Sequence, residues 1–487
     1  MRQNARPGIS SGPCIICKGS AAAIRKNAGC ITGRKHVMMK NRPNVVFLFS
    51  DQQRYDTVSC YHQPLGERFH LTPNLDQLAA EGTLFENAMT CQPVCGPARA
   101  CIQTGKYPSV IGCEVNDRML PLTEKGIAHY FNEAGYETAY VGKWHLASHH
   151  SFAKREDSVD YKTTAVPEEY RGGYKDFWVA ADVLEFTSHG YGGYLFDKDG
   201  RKREFEHYRA DATTDFALEY LRREKKAPFF LFVSYIEPHH QNDRSCFEGP
   251  EGSKEKFRDF PVPGDLEGTG GDWREQMPDY LGQCSSLDEN VGRIVAELKR
   301  QGIYDDTVIL YTADHGCHFC TRNGEYKRSC HDDSLHVPFI AKGGVFDGGH
   351  RVSELTSLID IAPTLLQAAG IDVPKQMRGV PMQQLLVHPG KPIHPEVFVQ
   401  ISESCVGRAL RTPEWTYCVE APAGTDPLLP SFPVYEEKYL YSLSRDPFQR
   451  ENLVDSPAFS AVRDRLREIL LRCIREEEGE TPEIRHS

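Results

Sequence analysis

The chain lacks any apolar run approaching the roughly 18–20 residues that a membrane-spanning helix needs. Its longest candidate, residues 44–50, is long enough only for a strand. The N-terminus has no continuous apolar segment, which argues against a cleaved secretory signal peptide. We therefore expect a cytoplasmic protein without a membrane partner. Outside the secretory route, its sixteen cysteines are expected to be reduced thiols rather than a disulfide scaffold.

An excess of basic residues is also missing. The 68 Asp and Glu outnumber the 57 Lys and Arg, which gives a formal net charge of −11. Proteins that bind nucleic acids neutralise phosphates with clustered cations, so this composition argues against a nucleic-acid partner. It does not exclude a small anionic substrate, because a local cationic pocket can dominate inside a cleft.

Acidic residues are absent from positions 1–42, which are rich in Lys and Arg. We predict that this extension is a disordered arm, or that translation truly starts at Met38 or Met39. An organelle transit peptide is the less favoured alternative. Cys14 and Cys17 lie in the extension without further ligands at zinc-site spacing, so we interpret them as incidental.

From residue 44 onward, short apolar runs alternate with amphipathic stretches, which predicts an α/β protein. Strands are predicted at 45–50, 137–141, 229–235 and 307–312. In open α/β sheets, ligands lie beyond the carboxyl ends of the strands. The polar clusters that follow the predicted strands should therefore meet at one site. These clusters are Asp51-Gln52, Gly142-Lys143-Trp144-His145, Glu237-Pro238-His239-His240 and Asp314-His315-Gly316.

The composition shifts near residue 390, where shorter strand-like runs lead to a predicted terminal helix at about 458–477. We therefore divide the chain beyond the extension into a large domain at 43–390 and a small C-terminal α+β domain at 391–487. The small domain is predicted to contain an antiparallel sheet and a helix. Residues 242–279, rich in Gly, Pro and charge, are predicted to form a long loop.

The most informative motif is Cys95-Gly96-Pro97-Ala98-Arg99, followed by Thr104-Gly105-Lys106. It resembles the signature of the formylglycine-dependent sulfatases, Cys-x-Pro-Ser/Ala-Arg followed by Thr-Gly-Arg/Lys. The resemblance implies that a formylglycine-generating maturation enzyme oxidises Cys95 to an aldehyde, whose hydrate is the nucleophile. It also implies an alkaline-phosphatase-like fold, with a mixed central sheet flanked by helices and a smaller C-terminal α+β domain.

A divalent metal is the second implication. Asp51 and Gln52 offer oxygen ligands that suit a hard cation, although the pair alone is equally typical of a strand-end turn. By the resemblance, the metal ligands are Asp51, Gln52, the modified Cys95, Asp314 and His315. Many family members carry aspartate in place of Gln52 and asparagine in place of His315. We expect calcium, with manganese or zinc as alternatives because imidazole suits those ions better.

The resemblance also assigns catalytic roles. Arg99 is expected to hold the negative charge of the hydrated aldehyde. Lys143, in Gly-Lys-Trp-His, and Lys327, which precedes the pair Asp332-Asp333 and Val337-Pro338, are expected to bind the sulfate. His145 is the candidate base that regenerates the aldehyde, and His239 is expected to bind sulfate or protonate the leaving oxygen.

These expectations predict hydrolysis of a small anionic sulfate monoester, with a sulfated sugar as the expected substrate. One alternative is a formylglycine-dependent hydrolase of phosphonate monoesters or phosphodiesters. The other is a non-catalytic, thiol-rich metal-binding protein in which Cys95 stays unmodified.

Three further features are weaker. Cys317-His318-Phe319-Cys320 is expected to line the pocket rather than to form a zinc or redox pair. His336 replaces an arginine of many family members and either alters the charge of the pocket or leaves it untouched. The candidate sugar-stacking aromatics are Trp178, Tyr191, Tyr194 and Trp273.

Overall fold

The computed structural model describes residues 42–149 and 158–486. The strands of the main sheet are β1 (Asn44–Ser50), β2 (Thr83–Met89), β3 (Glu137–Lys143), β4 (Phe177–Ala181), β5 (Tyr191–Asp197), β6 (Lys202–Tyr208), β7 (Phe229–Ser234), β8 (Thr307–Ala313), β9 (His336–Val337), β10 (Phe339–Lys342) and β11 (His350–Ser357). The strands of a second sheet are β12 (Val397–Ile401), β13 (Gly407–Arg411), β14 (Trp415–Glu420), β15 (Val434–Ser442) and β16 (Glu483–Arg485). The helices are α1 (Pro64–Phe69), α2 (Pro73–Glu81), α3 (Cys95–Thr104), α4 (Ile127–Glu133), α5 (Arg209–Arg222), α6 (Ser253–Lys256), α7 (Trp273–Arg300), α8 (Asp332–Leu335), α9 (Ile361–Ala368), α10 (Gln383–Val387) and α11 (Ser460–Glu478).

The main sheet is mixed, with a parallel centre. Strand β1 pairs in parallel with β7 on one side and with β8 on the other. Strands β3 and β4 continue the parallel set beyond β7, whereas β10 runs antiparallel to β8 and β5 runs antiparallel to β4. This architecture confirms the predicted α/β class and its mixed central sheet.

Both faces of β1 are covered. Val45, Phe47 and Phe49 pack into one apolar core, and Val46 and Leu48 pack into a second core. All five side chains are fully buried. A strand covered on both faces has a continuous apolar sequence instead of an alternating one. The cores therefore hold the carboxyl end of β1, and the Asp51 that follows it, at a fixed place on the sheet edge.

The second sheet has five strands in the order β12-β13-β14-β15-β16. It begins at Val397, close to the predicted boundary at 391, and α11 confirms the predicted terminal helix. Val399 and Ile401 share an apolar cluster with Met89 and Leu335 of the main part of the chain. The C-terminal sheet and helix are thus observed, whereas their division into a separate domain stays a prediction.

Two helix starts differ from the sequence pattern, which predicts helices over 122–133 and 278–301. Helix α4 begins at Ile127 rather than Leu122, because the chain just before it forms a turn in which the Glu124 amide donates to the Pro121 carbonyl. Helix α7 begins at Trp273, so Pro278 lies inside the helix instead of starting it. Trp273 packs in an apolar cluster, which extends the helix upstream of the proline.

Across 42–149 and 158–486, no helix is both long and apolar enough to cross a membrane. Every cysteine in those ranges is a free thiol in the structure, whereas the reduced state of the protein stays a prediction. The predicted extension at 1–42, with Cys14 and Cys17, lies outside the described ranges except for Arg42.

Candidate active site

The polar clusters that follow the parallel strands meet at one edge of the sheet. Asp51 follows β1, Lys143 ends β3, His239 follows β7, and Asp314 and His315 follow β8. All five residues are buried. The strand order explains the meeting, because β8, β1, β7 and β3 are consecutive neighbours in the sheet.

Cys95 is the first residue of α3 and lies in the middle of this group. Its Sγ lies 3.3 Å from Asp51 Oδ1, 3.3 Å from His315 Nε2 and 2.8 Å from Lys327 Nζ. Burial, reinforced by Asp51, raises the pKa of the Cys95 thiol to about 11. The unmodified side chain is therefore a protonated thiol at neutral pH, which is a poor nucleophile.

Asp51, Cys95, Asp314 and His315 bring four possible metal-ligand atoms within 4.8 Å of one another. Within the parts of the chain that the structure describes, this is the one group of His, Cys, Asp and Glu that could hold a metal ion. His315 Nδ1 lies 2.9 Å from the Gly316 carbonyl oxygen and donates to it, which leaves the Nε2 lone pair facing the group. The buried Oδ2 of Asp314 accepts no hydrogen bond. These features fit a divalent cation.

The two carboxylates of the group differ in their titration. Burial opposes ionisation of Asp51, but Lys143, His239 and Arg99 together hold its pKa well below the ordinary value. Burial and the charge of Asp51 raise the pKa of Asp314 to about 7. A bound cation would offset the repulsion between the two ionised carboxylates.

Gln52 lies beside the group with its amide nitrogen directed at Cys317. Its Nε2 donates to Cys317 Sγ at 3.4 Å, and its backbone N–H donates to Asp314 Oδ1 at 2.9 Å. The backbone of Gln52 is left-handed, with φ 67°. These contacts orient Asp314, whereas metal ligation by Gln52 itself stays a prediction.

The segment 317–320 does not line the pocket, contrary to expectation. Cys317 and Phe319 belong to an apolar cluster behind Gln52. Nε2 of His318 lies 2.9 Å from the backbone carbonyl oxygen of Lys327 and donates to it. The segment therefore packs against the loop that carries Lys327. Its side chains fill the apolar core instead of lining the pocket.

Arg99 is buried and contacts Asp51 rather than the Cys95 sulfur. Its Nη2 donates to Asp51 Oδ2 at 2.8 Å, and its Nη1 donates to Ser234 Oγ and to the Lys143 carbonyl oxygen. Lys143 Nζ also donates to Asp51 Oδ2, at 2.7 Å. The guanidinium therefore fixes Asp51 and the ends of β3 and β7 relative to one another.

The surroundings of His145 and His239 favour the neutral imidazole in both residues. Burial, together with Lys143, lowers the pKa of His145 well below its ordinary value, and its Nδ1 has no hydrogen-bond partner. Burial, together with Lys327, lowers the pKa of His239 in the same way. His239 Nε2 lies 3.1 Å from Lys327 Nζ, and its Nδ1 contacts the His240 carbonyl oxygen at 2.5 Å.

An open pocket of about 360 Å³ leads to Cys95. Five of the predicted residues line it together with Cys95: Gln52, Lys143, His145, His239 and Lys327. The lining aromatics are Phe186 and Tyr326.

The four aromatics named from the sequence do not line this pocket. Trp178 and Trp273 are buried in apolar cores, and Tyr191 and Tyr194 lie on β5 away from the opening. His336 also lies elsewhere, stacked on Tyr55 with ring centroids 3.6 Å apart. It leaves the charge of the pocket untouched.

Asn116 and Glu403 hold the start of α3 and were missed by sequence reasoning. Asn116 Oδ1 accepts a 2.9 Å hydrogen bond from the backbone N–H of Gly96, the residue next to Cys95. A carboxylate oxygen of Glu403, which follows β12, accepts from the Asn116 backbone N–H at 2.5 Å. No sequence pattern links these residues, since 287 positions separate Asn116 from Glu403.

Comparison with known proteins gives this arrangement a family. The family model described as Sulfatase matches residues 43–371. An ulvan-active sulfatase from Formosa agariphila is 28% identical over 453 residues, covering 87% of this chain and 80% of that relative. An N-acetylglucosamine-6-O-sulfatase from Bacteroides thetaiotaomicron is 25% identical over 430 residues, covering 72% of each chain.

Solved structures agree at the level of the fold. A sulfatase from the glycosaminoglycan metabolism of Bacteroides thetaiotaomicron superposes with a TM-score of 0.76 at 22% identity, covering 90% of this chain and 97% of that one. A phosphonate monoester hydrolase from Silicibacter pomeroyi gives 0.67 at 22% identity, covering 90% and 96%. With a family model spanning most of its length, the chain belongs to the sulfatase family, whose members hydrolyse sulfate esters.

Proposed function

We propose that the protein hydrolyses the sulfate monoester of a sugar, with a formylglycine made from Cys95 as its nucleophile. The observation that carries the proposal is the position of Cys95, at the start of α3 among Asp51, His315 and Lys327. The sugar is supported by relatives whose names specify ulvan and N-acetylglucosamine 6-sulfate.

The chemistry of Cys95 favours modification. With its pKa at about 11, the thiol would provide almost no thiolate at neutral pH. Conversion to an aldehyde is a two-electron oxidation that needs an external oxidant such as dioxygen, and water then supplies the carbonyl oxygen while the sulfur leaves as hydrogen sulfide. We assign this step to a maturation enzyme. Hydration of the aldehyde then provides one hydroxyl that attacks the sulfur of the sulfate ester and displaces the sugar as an alcohol, and a second hydroxyl whose deprotonation re-forms the carbonyl and expels the sulfate.

Asp51, Asp314 and His315, with Gln52 and the modified Cys95, would hold the divalent metal. We propose calcium, with manganese or zinc as alternatives because of the imidazole. Such an ion supplies Lewis acidity that favours ionisation of a nearby hydroxyl. Arg99 acts on the metal ligands through Asp51, because its contact with that carboxylate keeps it ionised and oriented.

Side chains of the protein bind the sulfate and transfer the protons. Lys143 and Lys327 supply charge-assisted donors for the sulfate oxygens. His239 Nε2 accepts a hydrogen bond from Lys327, and we propose that it relays a proton from Lys327 to the leaving oxygen. His145 is neutral, because burial lowers its pKa, and can remove the proton whose loss regenerates the aldehyde.

The rival readings have less support. The phosphonate monoester hydrolase shares the fold at 22% identity, and a similarity at that level does not indicate the substrate of this chain. A thiol-rich metal-binding protein would group several cysteines, yet within 42–149 and 158–486 the metal-ligand group includes only Cys95 among them.

The test is release of inorganic sulfate from a panel of monosulfated sugars and from an aryl sulfate, with an aryl phosphonate ester as the competitor. Matured protein should hydrolyse the sulfates faster than the phosphonate ester. A preference for the phosphonate ester would overturn the proposal.

A further inference from the structure

The outer half of the pocket contains charged residues that the family motifs do not explain. Beyond the sulfate-binding lysines, the pocket is lined by Asp117, Lys162, Glu185, Glu325 and Arg328. We call these five side chains the rim. They lie where the part of a substrate beyond its sulfate would be placed, so their charges bear on the alcohol that carries the sulfate.

Lys162 is already neutralised. Its Nζ lies 2.7 Å from Asp117 Oδ2, and the two side chains are about one-fifth and one-quarter exposed. The same Nζ lies 5.4 Å from the centre of the Phe186 ring. Asp117 therefore occupies one donor of Lys162 and offsets its charge.

Arg328 is neutralised twice. Its Nη1 lies 2.6 Å from Glu325 Oε2, and its Nη2 pairs with Glu403. Arg328 and Glu403 both adopt left-handed backbone conformations, with φ 70° and 67°. Backbone of this kind costs free energy in residues other than glycine, so the surrounding contacts hold this pair in place.

Glu185 adds a carboxylate without a full cationic partner of its own. Its two oxygens accept hydrogen bonds from Asn242 Nδ2 at 3.0 and 3.1 Å. Its ion-pair contact is with His239 Nδ1 at 3.6 Å, and that nitrogen also contacts the His240 carbonyl oxygen.

The rim therefore holds three carboxylates against two cations, with Glu403 as a fourth carboxylate behind Arg328. A second sulfate or carboxylate on the substrate would find no unpaired cation among the described rim residues. Sugar hydroxyls and ammonium groups, in contrast, donate hydrogen bonds that carboxylates accept.

We propose that the pocket selects sulfate esters whose only negative charge is the scissile sulfate, carried on a neutral or amine-bearing sugar. Phe186, which is 53% exposed, offers an apolar face for the C–H groups of the sugar ring. The inference rests on the proposed function, since it assigns the alcohol of the same reaction.

The experiment compares kcat/KM for sulfate release from N-acetylglucosamine 6-sulfate, glucosamine 6-sulfate and glucosamine 2-N,6-O-disulfate, and from matched galactose sulfates with and without a second sulfate. An aryl sulfate reports the chemistry without a sugar. We expect each singly charged sugar that is cleaved to exceed its doubly charged counterpart at least tenfold. Equal rates, or a preference for the doubly charged member, would overturn the inference.

Asp117→Asn and Glu325→Gln test the mechanism of selection while conserving shape: the first frees Lys162, and the second removes one of the two carboxylates that pair with Arg328. Asparagine also tolerates the left-handed backbone of Asp117, at φ 57°. In both variants, the ratio of kcat/KM for a singly charged sugar to kcat/KM for its doubly charged counterpart should fall several-fold. Glu414→Gln, which removes a charge from the exposed turn between β13 and β14, should leave the preference unchanged.

The two proposals fail differently. If neither the aryl sulfate nor any sugar releases sulfate, the proposed function fails. If the aryl sulfate is hydrolysed but Asp117→Asn and Glu325→Gln leave the preference at its wild-type value, only the inference about the rim fails.

Discussion

Lys327 Nζ lies 2.8 Å from the Sγ of Cys95, and the two residues are 232 positions apart in the chain. Lys327 lies in a loop. His318 holds this loop through a hydrogen bond to the backbone carbonyl oxygen of Lys327. This pairing places a donor beside the atom where a nucleophile would form, on the open side of the site.

Replacing Lys327 with methionine should therefore lower kcat/KM for an aryl sulfate by about 10²- to 10³-fold, the usual cost of removing one donor to developing charge. The loss should appear in steady-state kinetics with little change in Tm. Lys375→Met, an exposed lysine elsewhere, serves as the matched control. Equal activity of the two variants would show that Lys327 does not bind the reacting sulfate.

His145 is assigned to the second half of the reaction, so its removal should trap the enzyme midway. In His145→Ala, kcat should fall by about 10²- to 10⁴-fold. A burst of aryl alcohol should precede the slow steady state, and intact-mass spectrometry should show protein carrying a sulfate group. His129→Ala is the control, since that half-buried histidine lies on α4 away from the pocket. Slow turnover without a burst would assign His145 to the first step instead.

The stability of the protein should depend on pH through the same histidine. Because burial lowers the pKa of His145 in the folded state, the unfolded chain binds a proton first as pH falls below about 6.5. Stability is thus undiminished above that pH and declines toward the folded-state pKa, by at most about 1.4 kcal/mol per pH unit for one histidine.

Thermal unfolding of wild type and His145→Gln at pH 7.5 and pH 5 measures this dependence. The wild type should lose more stability between the two pH values than the variant does. Equal losses would mean that His145 titrates normally in the folded protein.

Removal of the metal should affect both activity and stability. Dialysis against a chelator should abolish turnover and lower Tm, because an ion that binds only the folded state stabilises it by about 2.7 kcal/mol at 100 times its Kd. Adding back calcium, manganese or zinc separately identifies the ion. Asp314→Asn should weaken the recovery, while Asp446→Asn, at an exposed turn, should not. Unchanged activity and Tm after chelation would contradict a metal at this site.

Much of the site could be predicted because its residues follow strands. Asp51 and Asp314 come directly after apolar runs that form neighbouring parallel strands, so the fold brings them together. The motif around Cys95 added the nucleophile. Local sequence patterns were sufficient here because each residue's position is set by the strand or helix end that carries it.

Contacts between distant segments could not be predicted in the same way. Glu403 supports Asn116 across two sheets, and no local pattern encodes that pairing. The prediction of sugar-stacking aromatics was wrong for a related reason, because a tryptophan such as Trp178 fills the core as readily as it lines a sugar site. Phe186, which does line the pocket, has no distinguishing sequence context.

The proposed turnover of sulfate esters depends on conversion of Cys95 to an aldehyde. The measurement is mass spectrometry of the peptide containing Cys95, from active protein purified from its native source. We expect a mass in which the thiol is replaced by a carbonyl, in a fraction proportional to specific activity. A fully active preparation with an intact thiol at Cys95 would overturn this mechanism.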